Sequence, residues 1–212
     1  MEDNGFTTNK PKNNGTKQLF DNPILERLSR THISIPISIF IVISAVLLFY
    51  AFKYTPLPGY LIPLLFLGGF LFFTLIEYLV HRFVFHMAPT SSFKKKIQYN
   101  MHGVHHEFPK DKDRLAMPPL LSITLAVIFF VIFYSLMNTK VFGFLPGLLT
   151  GYASYLFVHY IVHAYAPPKN IFKELWVNHA IHHYKDNSTV FGVSSPLWDY
   201  VFGTMPPKKK QA

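Results

Sequence analysis

The chain has 212 residues, half of them apolar, with 20 Lys and Arg against 11 Asp and Glu and no cysteine. The lack of cysteine excludes disulfides, cysteine-held iron–sulfur clusters and thiol nucleophiles, so a bound metal must be held through nitrogen and oxygen. A net charge of +9 invites a nucleic-acid reading, but the basic residues do not gather around aromatics for base stacking, and no nucleic-acid partner is expected.

Residues 1–22, rich in Asn, Lys, Thr and Gly, read as a disordered polar tail, and Asn22 to His32 as a short amphipathic entry helix on a membrane surface. Four apolar blocks follow at Ile33 to Tyr54, Leu57 to Val80, Pro118 to Met137 and Val141 to Tyr165. Each has about the 20 residues that a helix needs to cross a hydrocarbon core, so four spanning helices are expected. The first block is too long and too late for a secretory signal and reads as a retained anchor. Turns at Lys53–Gly59 and Asn138–Gly143 join the blocks into two antiparallel hairpins.

Of the 20 basic residues, 18 fall in 1–32, 81–118 and 166–212, and only Lys53 and Lys140 lie in the intervening turns. This positive-inside pattern puts both termini and the middle loop in the cytoplasm. Lys94 to Lys96 and Lys208 to Lys210 read as charges that meet anionic headgroups. Lys209-Lys210-Gln211-Ala212, in a basic tail of residues 207–212, also fits a dilysine retrieval signal of the endoplasmic reticulum.

Ten of eleven histidines form two arrays of matched spacing, with His32 alone outside them. His81 and His86 are followed by His102, His105 and His106; His159 and His163 are followed by His179, His182 and His183. We read this as a pseudo-repeat, in which a hairpin delivers a histidine pair at its cytoplasmic exit and a soluble helix then presents His-x-x-His-His. Residues i, i+3 and i+4 share a helix face, so each triplet projects together. His81 and His86 are five apart, which requires a helix end or a widened turn. Ten imidazoles exceed the four ligands that close a structural zinc site, and two metals share them most naturally. Neutral nitrogen ligands suit iron. Glu77, one turn before His81, either accepts a proton from a ligand ring or is a lone interfacial acid. Asp199 either caps a helix or orients a ligand, and Tyr184 either supports the site or packs. No residue beyond the metal ligands is assigned a catalytic role.

With these arrays in place, the chain resembles the fatty acid hydroxylase superfamily, most of all the fatty acid (sphingolipid) 2-hydroxylases, over roughly residues 23–206. The carriers are His81-Arg82-Phe83-Val84-Phe85-His86, His102-Gly103-Val104-His105-His106-Glu107 and Arg114 to Pro119. In the second half they are His159-Tyr160 through His163, His179 through Tyr184, Phe191 to Ser195, Trp198-Asp199 and Phe202-Gly203-Thr204.

The resemblance implies an all-α integral membrane protein, with four transmembrane helices beneath a cytosolic helical cap that holds a di-metal histidine cluster. It implies two metal ions, iron in the active enzyme or zinc in isolated protein. The implied reaction is oxygen-dependent hydroxylation of a fatty acid or ceramide-type acyl chain at C2. Relatives often carry an Asp three residues before the position of His159, where this chain has Leu156. Some also carry a fused cytochrome b5 domain that the first 32 residues cannot hold, so electrons are expected from a separate donor, such as cytochrome b5 or a ferredoxin with its reductase. The host is a bacterial inner membrane or the endoplasmic reticulum. The alternatives are a sterol desaturase or carotenoid hydroxylase of the same superfamily, and, in another class, a non-catalytic zinc-binding membrane protein.

Overall fold

The structure, a computed structural model, describes residues 10–207; residues 1–9 and the Lys208–Lys210 run with its dilysine signal lie outside the described residues. Every regular element among the described residues is helical. The chain divides into two compact units, one of residues 18–75 and 112–160, the other of 10–17, 76–111 and 161–207.

The first unit is built from the apolar blocks. It opens with α1 (Pro23–Leu28), where the Asn22 side chain accepts from the N–H groups of Ile24 and Leu25 and Pro23 occupies the first turn, which has no donor to lose. Exposed Ile24, Leu25 and Leu28 give this entry helix its apolar side. Helix α2 (Ser34–Tyr54) follows, then α3 (Leu61–Val80), which starts only after Pro58-Gly59, and later α6 (Pro119–Met137) and α7 (Val141–Ala164). Helices α3 and α7 each run on from this unit into the other.

Three helical stretches among the described residues are long and apolar enough to cross a membrane: Ser34–Tyr54, Leu61–Phe85 and the 53-residue Lys112–Ala164. The third is not one rod. Asn138, of a residue type that tolerates positive φ, sits at φ 51° and opens a 3₁₀ turn through Lys140. Ring contacts of Phe130 with Phe142 and of Phe133 with Phe144, at 5.8 and 4.9 Å, show α6 and α7 doubling back on one another.

Glycines let α3 and α7 approach closely. A Cβ on Gly69 would stand 2.0 Å from the Phe144 carbonyl oxygen, and one on Gly147 would stand 1.9 Å from that of Phe66. Elsewhere in this unit, Ile33, Ala116 and Leu156 form a buried cluster that Ile37, Tyr152 and Tyr155 pack against.

The second unit holds the end of α3 with its π-helical extension His81–Phe85, then α4 (Ser92–Gln98), a second π turn (Tyr99–Gly103) and α5 (Val104–Glu107). The end of α7, α8 (Lys173–Tyr184) and α9 (Leu197–Phe202) complete it. Residues 10–17 form no helix but are tied to this unit through several side chains. Lys12 pairs with buried Glu107 at 2.7 Å, Thr16 donates to Asp111, and Asn13 accepts from the Tyr184 hydroxyl at 2.9 Å. The polar composition that reads as disorder therefore carries specific partners from Lys12 onward.

Candidate metal centre

The five-residue interval from His81 to His86 is taken up by a π turn in which the His86 N–H donates to the His81 carbonyl at 3.2 Å. The widened turn turns both rings inward, where a straight α-helix would separate them by about 140°. A second π turn at Tyr99–Gly103 precedes His105 and His106.

The array histidines fall into two groups, and the candidate ligand nitrogens in each lie within 4.8 Å of one another. One consists of His81, His86, His102, His106 and His182. The other holds His105, His163, His179 and His183; His159 lies one turn before His163 on the same helix. Each group could hold a metal ion. His32, exposed and bonded to Ser34 at 2.7 Å, belongs to neither.

The donor set suits a metal in three respects. First, carbonyl oxygens fix the tautomers: His81 Nδ1 faces the Phe191 carbonyl at 2.5 Å and His182 Nδ1 faces that of Thr189 at 2.8 Å. A carbonyl only accepts, so each Nδ1 carries the proton and each Nε2 presents a lone pair to the group. Second, Nε2 atoms stand 2.9–3.0 Å apart in the pairs His81–His102, His102–His106 and His86–His182. Two nitrogens each about 2.05 Å from one ion and at right angles to each other would be about 2.9 Å apart. Third, both ring nitrogens of buried His183 lack a hydrogen-bond partner, at a cost of about 1–3 kcal/mol per group, and a cation bound at the lone-pair nitrogen would relieve that nitrogen's share. Burial first, and neighbouring imidazoles next, push the His86, His102 and His183 rings well below their ordinary range, which keeps them neutral and able to ligate.

One loop supplies both orienting carbonyls, and two buried carboxylates hold it. Glu77 accepts from the Val193 and Ser194 N–H groups at 2.8 Å each and from the Ser194 hydroxyl. Asp199 accepts from the Phe191 and Gly192 N–H groups at 2.8 Å each and from the Thr204 hydroxyl at 2.7 Å. Burial pushes the Asp199 carboxyl up; these donors and the Arg82 charge partly offset it. A Cβ on Gly192 would stand 2.2 Å from the Ser195 carbonyl oxygen, so no larger residue fits there.

Between the two orienting carbonyls, buried Val190 adopts φ 52°, which costs a β-branched residue energy that the surrounding contacts must offset. Thus neither reading of the two carboxylates describes them fully. Glu77 bonds a loop instead of a histidine, and Asp199 lies inside α9, where it secures that same loop instead of capping the helix. Tyr184 is half-exposed and donates to Asn13. Thr189 and Val190 carry no signal in the sequence, and Phe191 enters there only as part of the segment Phe191 to Ser195 that carries the resemblance.

The sequence pattern of the family described as fatty acid hydroxylase matches residues 66–204. The chain belongs to that family. It is 38% identical over 149 residues to fatty acid 2-hydroxylase from Rattus norvegicus, a match that covers 68% of this chain and 40% of the rat protein. It is 37% identical over 145 residues to dihydroceramide fatty acyl 2-hydroxylase FAH2 of Arabidopsis thaliana, covering 68% of this chain and 61% of that one. The chain thus spans less than two thirds of the length of either relative. A solved structure described as full-length scs7p, with only its hydroxylase domain visible, superposes with a TM-score of 0.82 at 31% identity, covering 90% of this chain and 73% of that one.

Within this fatty acid hydroxylase fold, the departure at Leu156 has a local answer. Leu156 is buried in the apolar cluster with Ile33 and Ala116, and His159 Nδ1 takes the Leu115 carbonyl at 3.2 Å. A backbone acceptor thus fixes the tautomer of this ring, with Nδ1–H donating to the carbonyl. Against His163, His179 and His183 lies a cavity of about 490 Å³, rimmed by Lys110, Trp176 and Tyr184. Lys110 donates to the His163 carbonyl at 2.6 Å, which ties this rim to the end of α7.

Proposed function

We propose that this chain is a membrane oxygenase that places a hydroxyl on C2 of the acyl chain of a fatty acid or ceramide-type sphingolipid. It uses dioxygen and a separate electron donor, such as cytochrome b5 or a ferredoxin with its reductase. The observation that carries the reading is the pair of imidazole groups formed by an apolar helical chain. The relatives named as fatty acid and dihydroceramide 2-hydroxylases support the substrate class and the carbon. On this reading the hydroxylase unit is residues 23–206, and α2, α3, α6 and α7 cross the membrane as two hairpins. A helical cap then holds the site on the cytoplasmic side, as the 18-to-two distribution of basic residues favours.

His81, His86, His102, His106 and His182 would hold one metal ion, and His105, His159, His163, His179 and His183 the other. Two iron ions, when bound, supply dioxygen activation and cleavage of an unactivated C–H bond. The rest is the work of the protein. Buried imidazoles kept neutral hold their lone pairs toward the ions and exclude water. The Phe191, Thr189 and Leu115 carbonyls fix ring orientation. The apolar helices position the acyl chain, so that the carbon oxidised is decided by placement. One oxygen atom enters the product and the other leaves as water, which consumes two electrons from the donor and two protons.

The test supplies the purified full chain with iron, an electron donor, dioxygen and either stearate or a ceramide, and follows products by mass spectrometry with labelled dioxygen. One labelled oxygen at C2 is expected, and none from the double variant His105→Ala, His182→Ala. Product from that variant at the parent rate would overturn the oxygenase reading, whereas oxidation at another carbon would overturn only the regiochemistry.

A further inference from the structure

Helix α4 and the π turn that continues it show an apolar stripe on the side turned away from their own unit. Phe93 is 72% exposed and Met101 46% exposed, with half-buried Ile97 midway between them at four-residue spacing. About 100° round the helix from Ile97, Gln98 is buried and donates to the Met87 carbonyl at 3.1 Å. At about 100° per residue, Lys94 and Lys96 flank the stripe on either side, and Lys94, Lys95 and Lys96 are all exposed. Ser91 caps the start by accepting from the Lys94 N–H at 3.2 Å.

The helix begins seven residues after Phe85, where the candidate spanning stretch Leu61–Phe85 ends. Its start is therefore within about 25 Å of that exit, even with the link fully extended. Phe83 and Val84, at the end of that stretch, are exposed as well. An outward apolar stripe flanked by lysines, close to a membrane exit, fits a helix lying in the plane of the interface. The three consecutive lysines favour anionic headgroups over a protein surface as its cover.

We propose that α4 lies in the headgroup layer, with Phe93, Ile97 and Met101 at the acyl boundary and Lys94, Lys95 and Lys96 on anionic headgroups. The same helical run continues through Tyr99–Gly103 into Val104–Glu107 and so carries His102, His105 and His106. The anchor therefore tethers three candidate ligands to the layer in which the carboxyl end of an acyl chain resides. This inference rests on the membrane reading of the apolar helices and not on hydroxylation, so its test reads depth instead of product.

The chain has no native cysteine, so single variants Phe93→Cys, Lys95→Cys and Met101→Cys of the full chain can each carry one spin label. They are placed in nanodiscs of phosphatidylcholine alone or mixed with phosphatidylglycerol, with metal content equal to the parent as the check on folding. Labels at 93 and 101 should be relaxed mainly by oxygen, which partitions into lipid, and the label at 95 by a water-soluble nickel chelate. The oxygen preference at 93 should increase in the anionic discs, and Lys94→Gln, Lys95→Gln, Lys96→Gln together should remove that increase. Nickel access at 93 and 101 equal to that at 95 would overturn the proposal, as would shielding from both reagents, the mark of a protein cover. Identical depth in the two lipid mixtures would overturn the headgroup assignment.

Discussion

His105 and His182 hold equivalent places in the two His-x-x-His-His runs, and each joins the histidine group supplied mainly by the other half of the chain. The His182 ring lies 4.5 Å from that of His81 and 4.6 Å from that of His86. The His105 ring lies 4.6 Å from that of His163 and 4.7 Å from that of His183. Consecutive helical residues diverge by about 100°, so adjacent histidines in one run can serve two centres. The pseudo-repeat thus interlocks the two groups, and neither half contains a complete one.

Replacing either residue should therefore injure the group of the opposite half. His105→Ala and His182→Ala should each bind about one metal equivalent fewer than the parent. Loss of even an orienting partner weakens metal binding about 10–100-fold, and loss of a ligand should exceed that. Elemental analysis per chain tests this, with His32→Ala as the control that keeps parent values. Full metal content in His105→Ala would remove that residue from the ligand set.

Glu77→Gln removes the charge to which the Val193 and Ser194 N–H groups and the Ser194 hydroxyl donate. Hydrogen bonds to a charged group contribute about 1.5–3 kcal/mol, and their loss should loosen the loop that orients His81 and His182. Metal affinity, measured by competition with a chelator, should fall about 10–100-fold while helix content by circular dichroism stays at the parent level. Asp199→Asn should act in the same direction. A lowered melting temperature with unchanged affinity would confine both carboxylates to a stabilising role.

Lys12→Ala removes the charge opposite Glu107, whose side chain is 5% exposed while that of Lys12 is 58% exposed. Because one partner is solvated, the expected loss is about 1 kcal/mol, and it should shrink in high salt. In a chain of this size that corresponds to a melting shift of roughly 2–4 °C. Hydrogen exchange across residues 10–17 should quicken in the variant. Unchanged exchange there would show that the segment is held by its other contacts alone.

Much of the site was legible because histidine spacing maps directly onto helix geometry: the five-residue gap after His81 required a helix end or a widened turn, and a π turn is present. The crossing of His105 and His182 departs from the expectation that each triplet projects together: the i and i+4 rings stay in one group, while the i+3 ring, about 100° from its i+4 neighbour, joins the other. Glu77 was visible as an unusual acid in an apolar block, yet its partners lie 116 and 117 residues away in a loop without a chemical signature. The segment from Lys12 to Lys17 has no apolar residue to announce packing, and its partners Glu107, Asp111 and Tyr184 lie 95, 95 and 171 residues away in sequence. Leu115 could not be identified because its contribution is a carbonyl, which every residue has.

Glu26 gives the fold a predictable acid limit. Its partial burial alone would raise the carboxyl, but the Leu19 N–H, Arg30, the Phe20 N–H and the Arg114 charge outweigh this and bring it from 4.5 to about 2. Arg114 Nη2 lies 2.5 Å from Glu26 Oε1 and Arg30 Nη2 lies 2.9 Å away. The unfolded chain titrates this group near 4.3, so as pH falls the unfolded state takes up the proton first. The stabilisation is therefore complete above about pH 4.5, declines as the pH falls, and is gone once the pH has passed through the folded value near 2. Glu26→Gln should accordingly melt below the parent at pH 7, and the gap between the two should narrow steadily below pH 4.5. Thermal melts of the two proteins in the same nanodiscs across that range check it, and a gap independent of pH would mean that packing, not charge, accounts for Glu26.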